Sequence, residues 1–182
     1  MTTKKPFQLT LAILKPHVVK NPFALQNIRE MILSNDIKIV RTQRTIINQK
    51  LAEKFYEEHK GKFFYNRLTT FMSSGPSDIH ILTAPDVIAK WRKLLGPTKC
   101  YQTQFSDPNT IRGMFGLSDT RNAGHGSDSE ESAAREISVF FSDFKIKDWY
   151  ENEEIHFETG NLKFDEDLFV HLINKNIVGD SK

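Results

Sequence analysis

Four breakers cut the first hundred residues into pieces of strand or short-helix length: Lys15-Pro16, Asn21-Pro22, Ser73-Ser74-Gly75-Pro76 and Gly96-Pro97. Gln8 to Leu14 is a β-rich apolar run, and it stops at Lys15-Pro16 because proline cannot continue a strand ladder. Asn21-Pro22 reads as a helix N-cap with proline at the first helical position. Ala24, Leu25, Ile28, Met31 and Ile32 then recur at helical spacing. Ile37 to Ile47 is β-branched and predicts a strand. Asn48 opens a helix with Leu51, Phe55 and His59 along one face, and Phe64, Leu68, Phe71 and Met72 predict another. Ile79, Ile81 and Leu82 predict a short strand. Val87, Ile88, Trp91, Leu94 and Leu95 predict an amphipathic helix ended by Gly96-Pro97. A long loop is expected from Thr98 to about Asn109, then a turn bearing a histidine, then a helix from Ser129 to Phe141. The order is βαβααβαβα, with no internal repeat.

At 182 residues the chain is the length of one domain, and fourteen phenylalanines supply a core. A net charge of +2 argues against a sequence-independent grip on nucleic acid. The single cysteine, Cys100, excludes an internal disulfide and a Cys-rich zinc site. It fits an intracellular, reducing compartment, cytoplasmic or mitochondrial. No apolar run approaches a membrane span, and Met1 to Gln8 has no signal-peptide core. The chain divides into an arm over 1–7, a globular region over 8–150 and an extension over 151–182. That extension is acidic at first and then carries an amphipathic piece, Leu168, Phe169, Leu172 and Ile173. It reads either as a docking segment for a protein partner or as a tail folded back on its own core.

The stretch Asn122-Ala123-Gly124-His125-Gly126-Ser127-Asp128-Ser129 holds a histidine between two glycines, just before a helix start. Asp128 and Ser129 are N-cap types, and Asp128-x-x-Glu131 has capping-box spacing. An accessible imidazole is thus expected beside a helix N-terminus, where anions are favoured. Taken alone, the octapeptide fits a surface histidine in a polar turn equally well. There is no Walker cradle. Isolated cations instead stand at element ends: Lys15 where the first strand stops, Arg92 late in a helix, and Arg112 before a glycine. Glu136 lies two turns into the helix after His125. Its side chain leans toward the helix N-terminus and could reach back toward Ser127 or His125, although the spacing fits a solvent-facing glutamate as well.

Four segments together resemble the nucleoside diphosphate kinases: Ile13-Leu14-Lys15-Pro16, Thr110-Ile111-Arg112-Gly113, the histidine motif from Arg121 to Ser129, and Ser132-Ala133-x-x-Glu136-Ile137. The resemblance runs from Gln8 to Tyr150. Within the family the chain looks most like the divergent animal subgroup 6, which also has a lengthened loop and a C-terminal extension. The resemblance implies an α+β, ferredoxin-like fold: a four-stranded antiparallel sheet covered by helices. It implies ping-pong transfer of a terminal phosphoryl group from a nucleoside triphosphate to a nucleoside diphosphate through a phosphohistidine. His125 matches the nucleophile, and Glu136 and Ser127 match the groups that position it. Lys15, Arg92, Thr98 and Arg112 match phosphate contacts, and Tyr56 matches a supporting residue. Asn122 matches the contact to the sugar, and Phe64, with Leu68 beside it, the aromatic that stacks on the base. Mg2+ would arrive on the nucleotide phosphates, with no protein-held metal, and the family implies a homo-oligomer, a dimer or a hexamer.

Three features depart from the family pattern. The loop between Thr98 and Arg112 is longer by about three residues on this matching, and in the family that loop shapes site and assembly. Gly124 adds backbone freedom beside the histidine. Phe63 stands where a proline is common. The alternative function is a weakly active or inactive nucleotide-binding interaction protein that uses the long loop and the tail. Nucleic-acid binding through the Arg and aromatic residues between Lys60 and Arg67 is a third and weaker reading.

Overall fold

The computed structural model describes residues 6–175. Its first half comprises β1 (Phe7–Leu14), α1 (Pro16–Val19), α2 (Pro22–Ser34), β2 (Lys38–Thr45), α3 (Gln49–Phe55), α4 (Tyr65–Met72), β3 (Ser77–Pro85) and α5 (Val87–Leu95). There follow α6 (Cys100–Ser106), α7 (Ile111–Phe115), β4 (Gly124–Gly126) and α8 (Glu130–Phe140). The chain then adds α9 (Ile146–Asn152), α10 (Glu154–Thr159), β5 (Leu162–Asp165) and β6 (Val170–Ile173). The main sheet runs β2-β3-β1-β4, and every pairing is antiparallel. With helices on both faces this is the expected ferredoxin-like arrangement.

Two-sided cover explains why β1 and β3 read as continuous apolar runs. Side chains alternate across a strand. Ala12 and Leu14 therefore enter one core with Ile28 and Ile32 of α2 and Trp91 and Leu95 of α5. Leu11 and Ile13 enter the other with Phe55, Met72 and Ile137. Local caps behave as their residue types dictate. The Asn21 side chain accepts from the N–H of Ala24, and the Asn48 side chain from that of Leu51. No helix among the described residues is long and apolar enough to cross a membrane.

Several local expectations are corrected. The stretch expected as loop from Thr98 contains α6, whose buried residues are Cys100 and Thr103 alone, while Tyr101 and Phe105 are exposed. Such a helix shows no apolar period. His59 leaves the face of α3 and sits in a 3-10 turn, Glu57–His59. The strand around Ile79 spans nine residues, because Ser77, Asp78, His80 and Thr83 are buried with it. The cap of α8 is Ser129, which accepts from the N–H of Ser132, in place of the Asp128 to Glu131 box.

The division expected near Tyr150 falls inside α9. The amphipathic piece Leu168, Phe169, Leu172 and Ile173 belongs to the β5–β6 hairpin and its loop. That hairpin folds back on the domain. Phe169 is buried against His80, with the Arg29 guanidinium 4.6 Å over its ring. His171 Nδ1 accepts a 3.0 Å hydrogen bond from the backbone N–H of Ile39 on the outer strand β2. Sheet edges are commonly blunted by such cover. Burial, with the charge of Lys38 beside it, lowers the His171 pKa to about 4, so the ring is neutral and can accept. Replacing His171 by Leu should strand that N–H and cost about 1–3 kcal/mol in chemical denaturation. A change within a few tenths would show that the hairpin is held by Phe169 alone.

Candidate active site

β4 is three residues long, yet its place is fixed from several sides. His125 pairs with Ile13 and Gly124 with Leu14, across from β1. The Trp91 indole donates to the His125 carbonyl at 3.0 Å. A Cβ on Gly126 would lie 2.6 Å from Trp91 Cδ1, and one on Gly124 would lie 2.7 Å from Leu95 Cδ2. Gly124 is thus the place where Leu95 closes on the strand, rather than a slack joint.

Pairing puts the His125 ring on the Ile13 face of the sheet, over which α8 packs. There Glu136 accepts from both neighbours through one oxygen. His125 Nε2 is 2.9 Å from Glu136 Oε2, and Ser127 Oγ donates to the same oxygen at 2.6 Å. Ser127 Oγ in turn accepts from the Leu11 N–H at 3.1 Å. Ser127 and Glu136 are both buried, whereas the His125 side chain keeps 22% exposure. Phe55 and Tyr56 meet the ring edge to face, 5.1 and 6.5 Å between centroids. A ring whose Nε2 proton is given to Glu136 keeps its lone pair on Nδ1, which has no partner among the described residues.

The ring opens into two adjoining cavities. The first, about 550 Å3, is lined by Lys15, Tyr56, Phe64 and Leu68, and also by Thr98, Arg112, Asn122 and His125. The second, about 640 Å3, holds Arg92 and shares Thr98, Arg112 and His125 with the first. Ser127 is in neither lining and lies behind the ring. Phe63 is 92% exposed, and Phe64 remains half-buried at the first cavity.

The cations in this cleft are held at a cost. Lys15 is buried and donates to the Thr120 carbonyl at 3.2 Å. Burial, followed by the nearby Arg112 charge, pulls its pKa down to about 7. Arg112 donates to the carbonyls of Gly96, Gly124 and Asn122, and so clamps three loops around the histidine. Burial lowers its pKa to about 10. Two polar atoms at the first cavity are buried without a partner among the described residues, the Tyr56 hydroxyl and Asn122 Oδ1. Burial, and then the Glu136 charge, raises the Tyr56 pKa, so its hydroxyl stays a donor. His59 stacks beside Tyr56 and also lines both cavities, although its spacing assigns it only to a helix face. Thr120, Trp91 and Phe55 carry no motif of their own, and nothing in the sequence singles them out.

A family model described as nucleoside diphosphate kinase matches residues 8–146. The chain is 46% identical over 173 residues to nucleoside diphosphate kinase 6 of Danio rerio, across 95% of this chain and 98% of that one. Among solved structures, the nucleoside diphosphate kinase of Aquifex aeolicus superposes with a TM-score of 0.72 at 34% identity. That match covers 75% of this chain and 96% of the other. The enzyme of Halobacterium salinarum, solved in complex with CDP, gives 0.70 at 31% identity over 76% and 90% of the two chains. The family indicated by the histidine motif is the one found.

Proposed function

The chain belongs to the nucleoside diphosphate kinase family, and from that premise we propose that it moves a terminal phosphoryl group between nucleotides through His125. A nucleoside triphosphate enters with its base against Phe64 and Leu68 and a sugar hydroxyl toward Asn122 Oδ1. Its phosphates meet Lys15, the Tyr56 hydroxyl, Thr98, the remaining N–H groups of Arg112, and Arg92. His125 Nδ1 attacks the terminal phosphorus, the bond from that phosphorus to its bridging oxygen breaks, and the diphosphate leaves with the bond electrons. The ring is now cationic, and the Nε2–H bond to Glu136 stabilises that charge. A second nucleoside diphosphate then attacks the phosphohistidine with a terminal phosphate oxygen, and His125 returns neutral.

One observation carries this reading: Glu136 holds Nε2, which leaves Nδ1 without a described partner on a ring that lines the same cavity as the buried Lys15. Two such half-reactions are nearly symmetric, and phosphoryl transfer asks a protein mainly for positioning and charge. Among the described residues no group of three or more His, Cys, Asp or Glu side chains could hold a metal ion. Magnesium would arrive on the nucleotide, where it would neutralise phosphate charge while keeping its waters. A protein contact is favoured beside the enzyme reading by Tyr101 and Phe105, exposed side by side on α6. Incubation with terminally labelled ATP and magnesium should place acid-labile phosphate on His125. A chain that binds the nucleotide and takes up no label overturns the proposal.

A further inference from the structure

We propose that Thr120 and Arg67 are positioning residues for Lys15: Arg67 fixes the Thr120 hydroxyl, and the Thr120 carbonyl so held keeps the Lys15 ammonium in place for the nucleotide phosphates. This deepens the nucleotide reading above and rests on it.

Lys15 is a cation that the empty site only just retains. It is buried at the end of β1, and Arg112, the second cause of its lowered pKa after burial, opposes its charge. An acceptor held beside the ammonium favours the charged form. The Thr120 carbonyl, 3.2 Å from Nζ, is that acceptor.

No helix or strand fixes this carbonyl. Thr120 lies in the irregular segment between α7 and β4. The segment closes into a turn around it: the Leu117 N–H donates to the Arg121 carbonyl at 2.8 Å, and the Arg121 N–H to Ser118 Oγ at 3.1 Å. Asn122 Nδ2 takes the neighbouring carbonyl, that of Asp119, at 3.0 Å. Thr120 itself is buried, and its hydroxyl accepts from Arg67 Nε at 3.1 Å. Threonine is branched at Cβ and stiff about χ1, so holding its hydroxyl from outside also restrains the backbone beside it.

Arg67 reaches Thr120 from α4, where it stands three residues after Phe64 and directly before Leu68. Arg67, Leu68, Thr120 and Lys15 all line the first cavity. Two hydrogen bonds in series therefore join the helix that carries the base-stacking face to the ammonium at the phosphate end. Arg67 is exposed, so a substitution there leaves both cores intact.

The test is a set of double-mutant cycles on the full-length protein, read by calorimetric binding of ADP with magnesium and by kcat for phosphoryl transfer. Thr120→Val keeps the shape and removes the hydroxyl. Arg67→Lys keeps the charge and puts a methylene where Nε stands. Each should weaken ADP binding about fivefold and lower kcat about tenfold, within what a small misplacement of a working group costs. Thr120→Ser retains the hydroxyl and should keep both values near wild type. In a Lys15→Met chain, Thr120→Val and Arg67→Lys should each change either value less than about twofold, because the group they position is gone. General damage to the loop would instead carry through to that background. Losses of equal size with lysine and with methionine at position 15, or wild-type values for both Thr120→Val and Arg67→Lys, would overturn the proposal. ADP binding needs no phosphoryl transfer, so the two readings fail separately. A chain whose binding cycle couples to Lys15 but never labels His125 loses only the kinase reading, and one that labels His125 with an uncoupled cycle loses only this inference.

Discussion

His125→Asn should abolish phosphoryl transfer, with a loss of about 10^4-fold or more, while leaving the fold nearly as stable as before. The large effect follows from covalent catalysis: the asparagine amide has no lone pair able to form the intermediate, and the remaining groups only bind and neutralise. The small stability effect follows from position. The ring is partly exposed at the cavity, and the strand carrying it is held by backbone bonds to β1 and by Trp91. Ser127 still donates to Glu136 in the variant, so the carboxylate is not stranded. Steady-state kinetics and thermal unfolding measured on one preparation check both halves. Transfer retained within tenfold would mean that the phosphoryl group does not pass through this ring.

Lys15→Met should move activity and stability in opposite directions. Removing a cation aimed at the transferring phosphoryl group should lower the rate about 10^2–10^3-fold. In the empty protein, however, the buried ammonium is a burden. Its pKa is about 7 in the folded chain against an ordinary lysine value of 10.5, so between those values the unfolded chain holds a proton that the folded chain lacks. The Lys15 contribution to the stability of the empty protein should therefore rise with pH from about 7 toward 10.5, opposed above about 9 by Cys100, whose pKa is raised by burial. Below about 7 the lysine is charged in both states and the full burden remains. The Lys15→Met substitution removes that slope and should stabilise the chain at neutral pH by on the order of a few kcal/mol. Part of this is offset because the Thr120 carbonyl loses its donor. Denaturation at pH 6, 8 and 10 tests the sign. A wild-type stability that falls across this window, with the Lys15→Met variant following it, would contradict the account of Lys15.

What the sequence makes legible is what acts locally. Asn21-Pro22 and Asn48 announce their helices because a cap needs only its own next three residues. Glu136 can be aimed back toward Ser127 and His125 because helix geometry fixes where a side chain leans. The family motif gathers Lys15, Arg112 and Asn122 around one histidine from distant parts of the chain. What stays illegible depends on contacts across the sequence. α6 buries only Cys100 and Thr103 and so has no apolar stripe to announce it. The tail hairpin is shaped by the edge of β2, where His171 finds Ile39. Trp91 looks like any core residue on an amphipathic helix until its indole meets the His125 carbonyl. Arg112 reads as a phosphate ligand, but its fork also braces three loop carbonyls, which no spacing reveals.

The central claim is that one ring nitrogen carries the phosphoryl group between two nucleotides in turn. It is tested most directly by charging the protein with labelled ATP and magnesium, removing all nucleotide, and adding an unlabelled nucleoside diphosphate. The label should leave the protein and appear in the corresponding triphosphate, one for one. Label that stays on the protein, or departs only as inorganic phosphate, would contradict the account.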